Sequence, residues 1–145
     1  MKNILISAAI AIGPFLGCKA VQPKTATDFM ARYYVVDDHA SSGVVGFSVD
    51  SVRYTDDYTR IYGKLIGIPH TSERIDTLEI CLTDGSKNKS TDIDGVDIQR
   101  WFQWEDSNYI KVEIDFPSMP QQRSFNIQTT GPRGNSRWEI VSHKK

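Results

Sequence analysis

From Tyr109 to Phe116 the chain alternates without a fault. Ile110, Val112, Ile114 and Phe116 are apolar, while Tyr109, Lys111, Glu113 and Asp115 carry a hydroxyl or a charge. In an extended strand successive side chains point to opposite faces, so a period of two buries one face and wets the other. The same residues wound as a helix would spread their apolar groups around its circumference. Pro117 and Pro120 bound the segment, and proline cannot donate to a strand ladder.

Weaker copies of this pattern recur along the chain. Met30 to Val36 is apolar and aromatic, and Asp37 to Gly43 reads as a loop. Val45, Phe47 and Val49 alternate on one parity, then Val52 and Tyr54 on the other. One extra residue near Asp50-Ser51 would produce that switch, so a β-bulge is predicted there. Thr55 to Tyr58 reads as a turn into a strand over Thr59 to Ile68, and Ile75 to Leu82 places Leu78, Ile80 and Leu82 on one face. A long polar loop is expected from Thr83 to Asp97, followed by a strand from Ile98 to Glu105. Short strands around Phe125 and Ile127 and around Trp138 and Ile140 flank a turn at Gly131 to Asn135. No segment beyond the first twenty residues has a helical period. Seven to eight short strands with frequent turn residues predict an all-β domain over residues 30–145. The expected form is a two-sheet antiparallel β-sandwich, immunoglobulin-like or transthyretin-like, with a small barrel as the alternative.

The amino terminus has a different character. After Lys2, residues Ile4 to Phe15 form a twelve-residue apolar run broken only by Ser7, and it ends at Phe15-Leu16-Gly17-Cys18. A membrane-spanning helix needs roughly 20 apolar residues, so the run has the length of a cleaved signal peptide, residues 1–17. Gly17-Cys18 resembles the lipobox of bacterial lipoproteins, in which the cysteine after a small residue is lipidated and becomes the first residue. The resemblance implies a palmitate-bearing membrane anchor at Cys18, with residues 18–29 as anchor and tether. Lys19 in place of an inner-membrane retention aspartate implies the outer membrane. The alternative is cleavage after Ala20, at the small-x-small site Cys18-Lys19-Ala20, which would give a secreted or periplasmic chain. Either outcome leaves Cys81 without an intramolecular partner, and it is expected as a small buried hydrophobe.

Counted from Cys18 there are 128 residues, enough for one core without disulfides. The formal net charge of −1 excludes a nucleic-acid footprint. Charge is unevenly placed: Asp84 to Asp115 balances at −4 and Phe116 to Lys145 at +4, consistent with pairing across neighbouring strands.

Three constellations are candidates for chemistry. Asp84, Asp92, Asp94 and Asp97 crowd one loop and offer hard oxygens to Ca²⁺, although Ser90 and Trp101 stand where an EF-hand would place acids. Trp101 lies between Gln99 and Gln103, on the parity opposite Phe102 and Trp104. With Tyr109 it composes a stacking platform for a glycan, peptide or protein. His39, His70, Glu73 and Asp76 would serve zinc only if tertiary structure gathered them, since no HExxH or CxxC is present. Ser72 near His70 lacks a nucleophile elbow, and no phosphate loop occurs. The expectation is a non-catalytic, envelope-anchored binding or interaction module. The alternatives are a structural subunit of an envelope assembly or a small hydrolytic or metal-dependent enzyme.

Overall fold

The computed structural model describes residues 28–40 and 45–143, so the signal segment, Cys18 and most of the tether lie outside the described residues. Among the described residues eleven strands occur: β1 Asp28–Ala40, β2 Gly46–Thr55, β3 Tyr58–Ile66, β4 Ser72–Arg74, β5 Thr77–Cys81, β6 Lys87–Lys89, β7 Asp92–Asp94, β8 Trp101–Gln103, β9 Tyr109–Pro117, β10 Ser124–Thr130 and β11 Ser136–Ser142. Nine form one antiparallel sheet in the order β6-β5-β10-β11-β1-β2-β3-β9-β7, and β4 pairs with β8 as a separate ribbon. The all-β expectation holds, and no helix occurs among the described residues.

The sheet curls until its ends meet. Its two terminal strands, β6 and β7, are consecutive in the chain and separated only by Ser90 and Thr91. Ser90 donates its N–H to the Leu78 carbonyl on β5, and Thr91 donates to the Asp115 carbonyl on β9. Diametrically opposite in the order, β1 changes partner: Asp28 to Arg32 pair with β2, and Tyr33 to Ala40 with β11.

Alternation sets which side chains enter the core. On β9 the apolar parity is buried at Val112, Ile114 and Phe116. On β2 the ladder to β3 shifts between Val49 and Ser51, leaving Asp50 as the extra residue. Val49 and Val52 can therefore both face inward, as the parity switch predicted. A second shift lies opposite Glu139 and Ile140 on β11, where Val36 of β1 is passed over and stands exposed.

Four sequence readings are corrected. The expected loop from Asp37 continues β1 to Ala40, because Ser136 to Glu139 of β11 supply a ladder partner that outweighs the weak strand preference of aspartate. The expected loop Thr83 to Asp97 holds β6 and β7, too short and too polar to show a period. The expected strand Ile98 to Glu105 is reduced to three residues, since Gln99 adopts a left-handed φ of 64° and turns the chain. Cys81 is half-buried on the parity of Glu79, opposite Leu78 and Ile80. Burial pushes its thiol pKa up, against the pull of Lys87.

The core joins the two halves of the curl through rings. Phe47 of β2 stacks on Trp138 of β11 with centroids 4.7 Å apart, and Tyr33 packs on Phe125 at 5.7 Å. Tyr33 and Tyr54 share a 2.6 Å hydrogen bond between hydroxyls; Tyr33 also donates to the Gln122 carbonyl, and the Gln122 N–H donates to Tyr54. Burial raises both phenol pKa values, and the shared bond raises that of Tyr33 further. A raised folded-state pKa contributes stability that is complete below the unfolded tyrosine value near 10 and is lost as pH climbs past it. Thermal melts from pH 8 to 12 should therefore decline steeply above about pH 10. A Tyr33→Phe, Tyr54→Phe variant should be less stable at pH 8 by about 1–3 kcal/mol and show a shallower alkaline slope. An unchanged slope would refute this account.

Candidate functional site

The β4–β8 ribbon displays one face outward and one inward. Its register sets Arg74 opposite Trp101, Glu73 opposite Phe102 and Ser72 opposite Gln103. Glu73 is 3% exposed and Phe102 is packed against the core, so their parity is the inner one. Trp101 is 52% exposed, and Gln103 beside it is also exposed. The ribbon is held by Trp104, fully buried next to β8, whose indole N–H donates to the Leu65 carbonyl at 3.3 Å. Further bonds run from the Trp104 N–H to the Thr71 carbonyl and from the Gln99 N–H to the Ile75 carbonyl.

The indole of Trp101 has a cationic neighbour from a distant part of the chain. The Arg133 guanidinium, in the turn between β10 and β11, sits 5.2 Å from the ring centroid. That turn abuts the ribbon, because the Asp76 N–H donates to the Thr130 carbonyl and the Thr77 and Thr130 hydroxyls lie 2.6 Å apart. Arg74 is in turn bonded to Asp76, Nε to Oδ1 at 2.6 Å.

A shallow groove of about 710 Å³ opens beside this platform. Its walls are Asp76 to Leu78, Lys89 to Ile93 and Asp97 to Arg100, so it follows the seam where β6 passes into β7. Arg100 directly precedes Trp101, and Asp76 is held by Trp101's cross-strand neighbour. Groove and platform thus share a border.

The sequence-level candidates divide accordingly. Trp101 and Gln103 share the ribbon's outer face, and Gln99 lines the groove. Tyr109 stands elsewhere, on β9 opposite Ile66, with the Lys64 ammonium 4.6 Å from its ring centroid. Asp92 and Asp97 reach the groove, whereas Asp94 borders a different hollow with Lys111 and Glu113. Asp84 accepts hydrogen bonds from the N–H and hydroxyl of Ser86, and these lower its pKa. Among the described residues no three of His, Cys, Asp and Glu gather as metal ligands, so the four aspartates do not form the calcium site their crowding suggested. Asp84 is engaged by Ser86, Asp92 and Asp97 line the groove, and Asp94 borders the other hollow, so the carboxylates are divided among separate places.

Among the described residues the histidine constellation does not converge either. His70 has a left-handed φ of 65°, and its ring lies 3.2 Å from the Asp106 carboxylate in an exposed turn. Asp76 is committed to Arg74. His39 takes a β1 position opposite Arg137. Glu73 is buried with one oxygen accepting the Arg74 N–H, and the other finds no partner among the described residues. Such an oxygen costs roughly 1–3 kcal/mol.

Sequence reasoning missed Arg74, Arg133, Lys89, Ser90, Thr91 and Arg100. The charge block after Phe116 contained Arg133 but gave no sign that its turn would reach β8. Searches against known protein families, curated proteins and solved structures find no match for the chain.

Proposed function

We propose that this chain is a non-catalytic lipoprotein of the bacterial cell envelope, anchored through lipidated Cys18 in the outer membrane, that binds a glycan, peptide or protein at Trp101. The observation that carries the binding reading is the half-exposed indole on a ribbon whose other face is locked into the core. A large ring left in water on a rigid support supplies contact area with little ordering cost. The groove carboxylates favour binding over hydrolysis: Asp92 and Asp97 are exposed and Asp76 is ion-paired, whereas a general acid is sheltered so that it keeps its proton.

In the finer description of the fold, the curl is a two-layer sandwich of immunoglobulin-like or transthyretin-like type. The partner change along β1 and the Phe47–Trp138 stack support it. A second functional reading, a subunit of an envelope assembly, draws on the exposed Met30, Tyr34 and Val36 of β1. Edge pairing is the weaker route to such an assembly, because β6 and β7 are three-residue edges carrying Lys87, Lys89, Asp92 and Asp94.

Two measurements test the proposal. Cells expressing the full chain should incorporate radioactive palmitate, and Cys18→Ala should abolish the label; label retained in the variant would rule out the anchor. Trp101→Ala should weaken ligand binding at least tenfold, about 1.4 kcal/mol, with a melting temperature within about 2 °C of the parent. Undiminished binding would rule out the platform.

A further inference from the structure

We infer that the seam groove beside Trp101 is a binding site for a neutral oligosaccharide; this rests on the reading of Trp101 as a binding platform. The first argument is composition. The groove presents the hydroxyls of Thr77, Ser90 and Thr91, the Gln99 amide, and charged groups of both signs. Its apolar members are Leu78, Ile93 and Ile98, and Leu78 is buried. A sugar hydroxyl both donates and accepts, so it can satisfy carboxylates and cations together, which a purely apolar or purely donating ligand cannot.

The second argument is charge. The carboxylates Asp76, Asp92 and Asp97 line the groove together with the cations Lys89 and Arg100, and Arg74 is bonded to Asp76. Three acids against three bases leave the groove near neutral, and Arg133 adds its charge at the Trp101 platform, so the groove itself does not select strongly for an ionic ligand. The third is the border. Trp101 is not itself a groove wall, but Arg100 before it and Asp76, held by its cross-strand neighbour Arg74, both are, so a chain of sugar rings longer than the groove can extend toward the indole. There the apolar C–H face of a ring can stack on the indole, on a site whose other contacts are hydrogen bonds. A volume of about 710 Å³ suits a ligand of several rings rather than one.

A peptide is the poorer occupant. Added as a strand, it would need a longer unpaired edge than the three residues of β7. Held by its apolar side chains, it would find only Ile93 and Ile98 partly open in the groove wall, since Leu78 is buried.

The test uses the processed lipoprotein in detergent, titrated with cellotetraose, chitotetraose, mannotetraose and maltotetraose, with tryptophan emission and calorimetry as readouts. At least one should bind saturably with Kd below about 1 mM, and 1 M NaCl should change that Kd by less than about twofold. A Thr91→Val, Asp97→Ala variant, both positions being exposed, should keep the parent melting temperature and lose at least tenfold in affinity. Binding retained by that variant would overturn the groove. If none of the four sugars binds while a peptide or protein is held in a Trp101-dependent way, the oligosaccharide inference falls and the platform stands. If a sugar binds through the groove and Trp101→Ala has no effect, the groove stands and the platform falls.

Discussion

Gly67→Ala should destabilise the protein by about 3 kcal/mol or more, although it adds a single methyl group. A Cβ built on Gly67 would lie 2.5–2.6 Å from three carbons of the Trp104 indole, far inside ordinary contact distance. Neither side can yield. Gly67 donates its N–H to the Asn108 carbonyl, and Trp104 is fully buried with its indole N–H on Leu65. Trp104 also anchors the end of β8 through its backbone bond to Thr71. Displacing it should therefore disturb the ribbon that carries Trp101, and ligand affinity should fall together with stability. Urea denaturation and near-ultraviolet circular dichroism are the measurements. A midpoint shift worth less than about 1 kcal/mol would show that the close packing of Gly67 on Trp104 is not what seats the ribbon.

Trp138→Ala is the second large effect. Trp138 is fully buried on β11 and stacked on Phe47 of β2, so its removal empties the space between the two halves of the curl. Truncating a buried tryptophan costs about 3–5 kcal/mol. Trp138→Phe should cost much less, on the order of 1–2 kcal/mol, for two reasons. It keeps a ring against Phe47, and it removes an indole N–H that has no partner among the described residues. Equal losses for the two variants would mean that the ring stack contributes little.

How much of this was legible beforehand depends on the kind of information each feature needs. The β9 strand, the Asp50 bulge and the shared parity of Leu78 and Ile80 were readable because side-chain direction in a strand is a local property with period two. Cys81 is the exception: its small apolar side chain suggests burial, yet Leu78 and Ile80 hold the inner face and leave it on the outer one. β6 and β7 were not readable. Three residues are too few to carry a period, and they are extended only because β5 and β9 stand ready to pair with them.

The candidate site divides along the same line. Trp101 was visible as an aromatic on the parity opposite Trp104, and its exposure follows from which of the two the core takes. Arg133, the Asp76–Arg74 border and the groove needed the closing of the sheet, which brings the β10–β11 turn to the ribbon and the β6–β7 seam beside both. By itself the sequence determined an all-β chain, the facing of β2, β5 and β9 and the signal-like amino terminus, since each depends on neighbours within a few residues. Strand order, the meeting of the sheet's ends and the assembly of the groove were decided by tertiary structure alone, because they depend on pairing between segments whose separation along the chain carries no periodic trace.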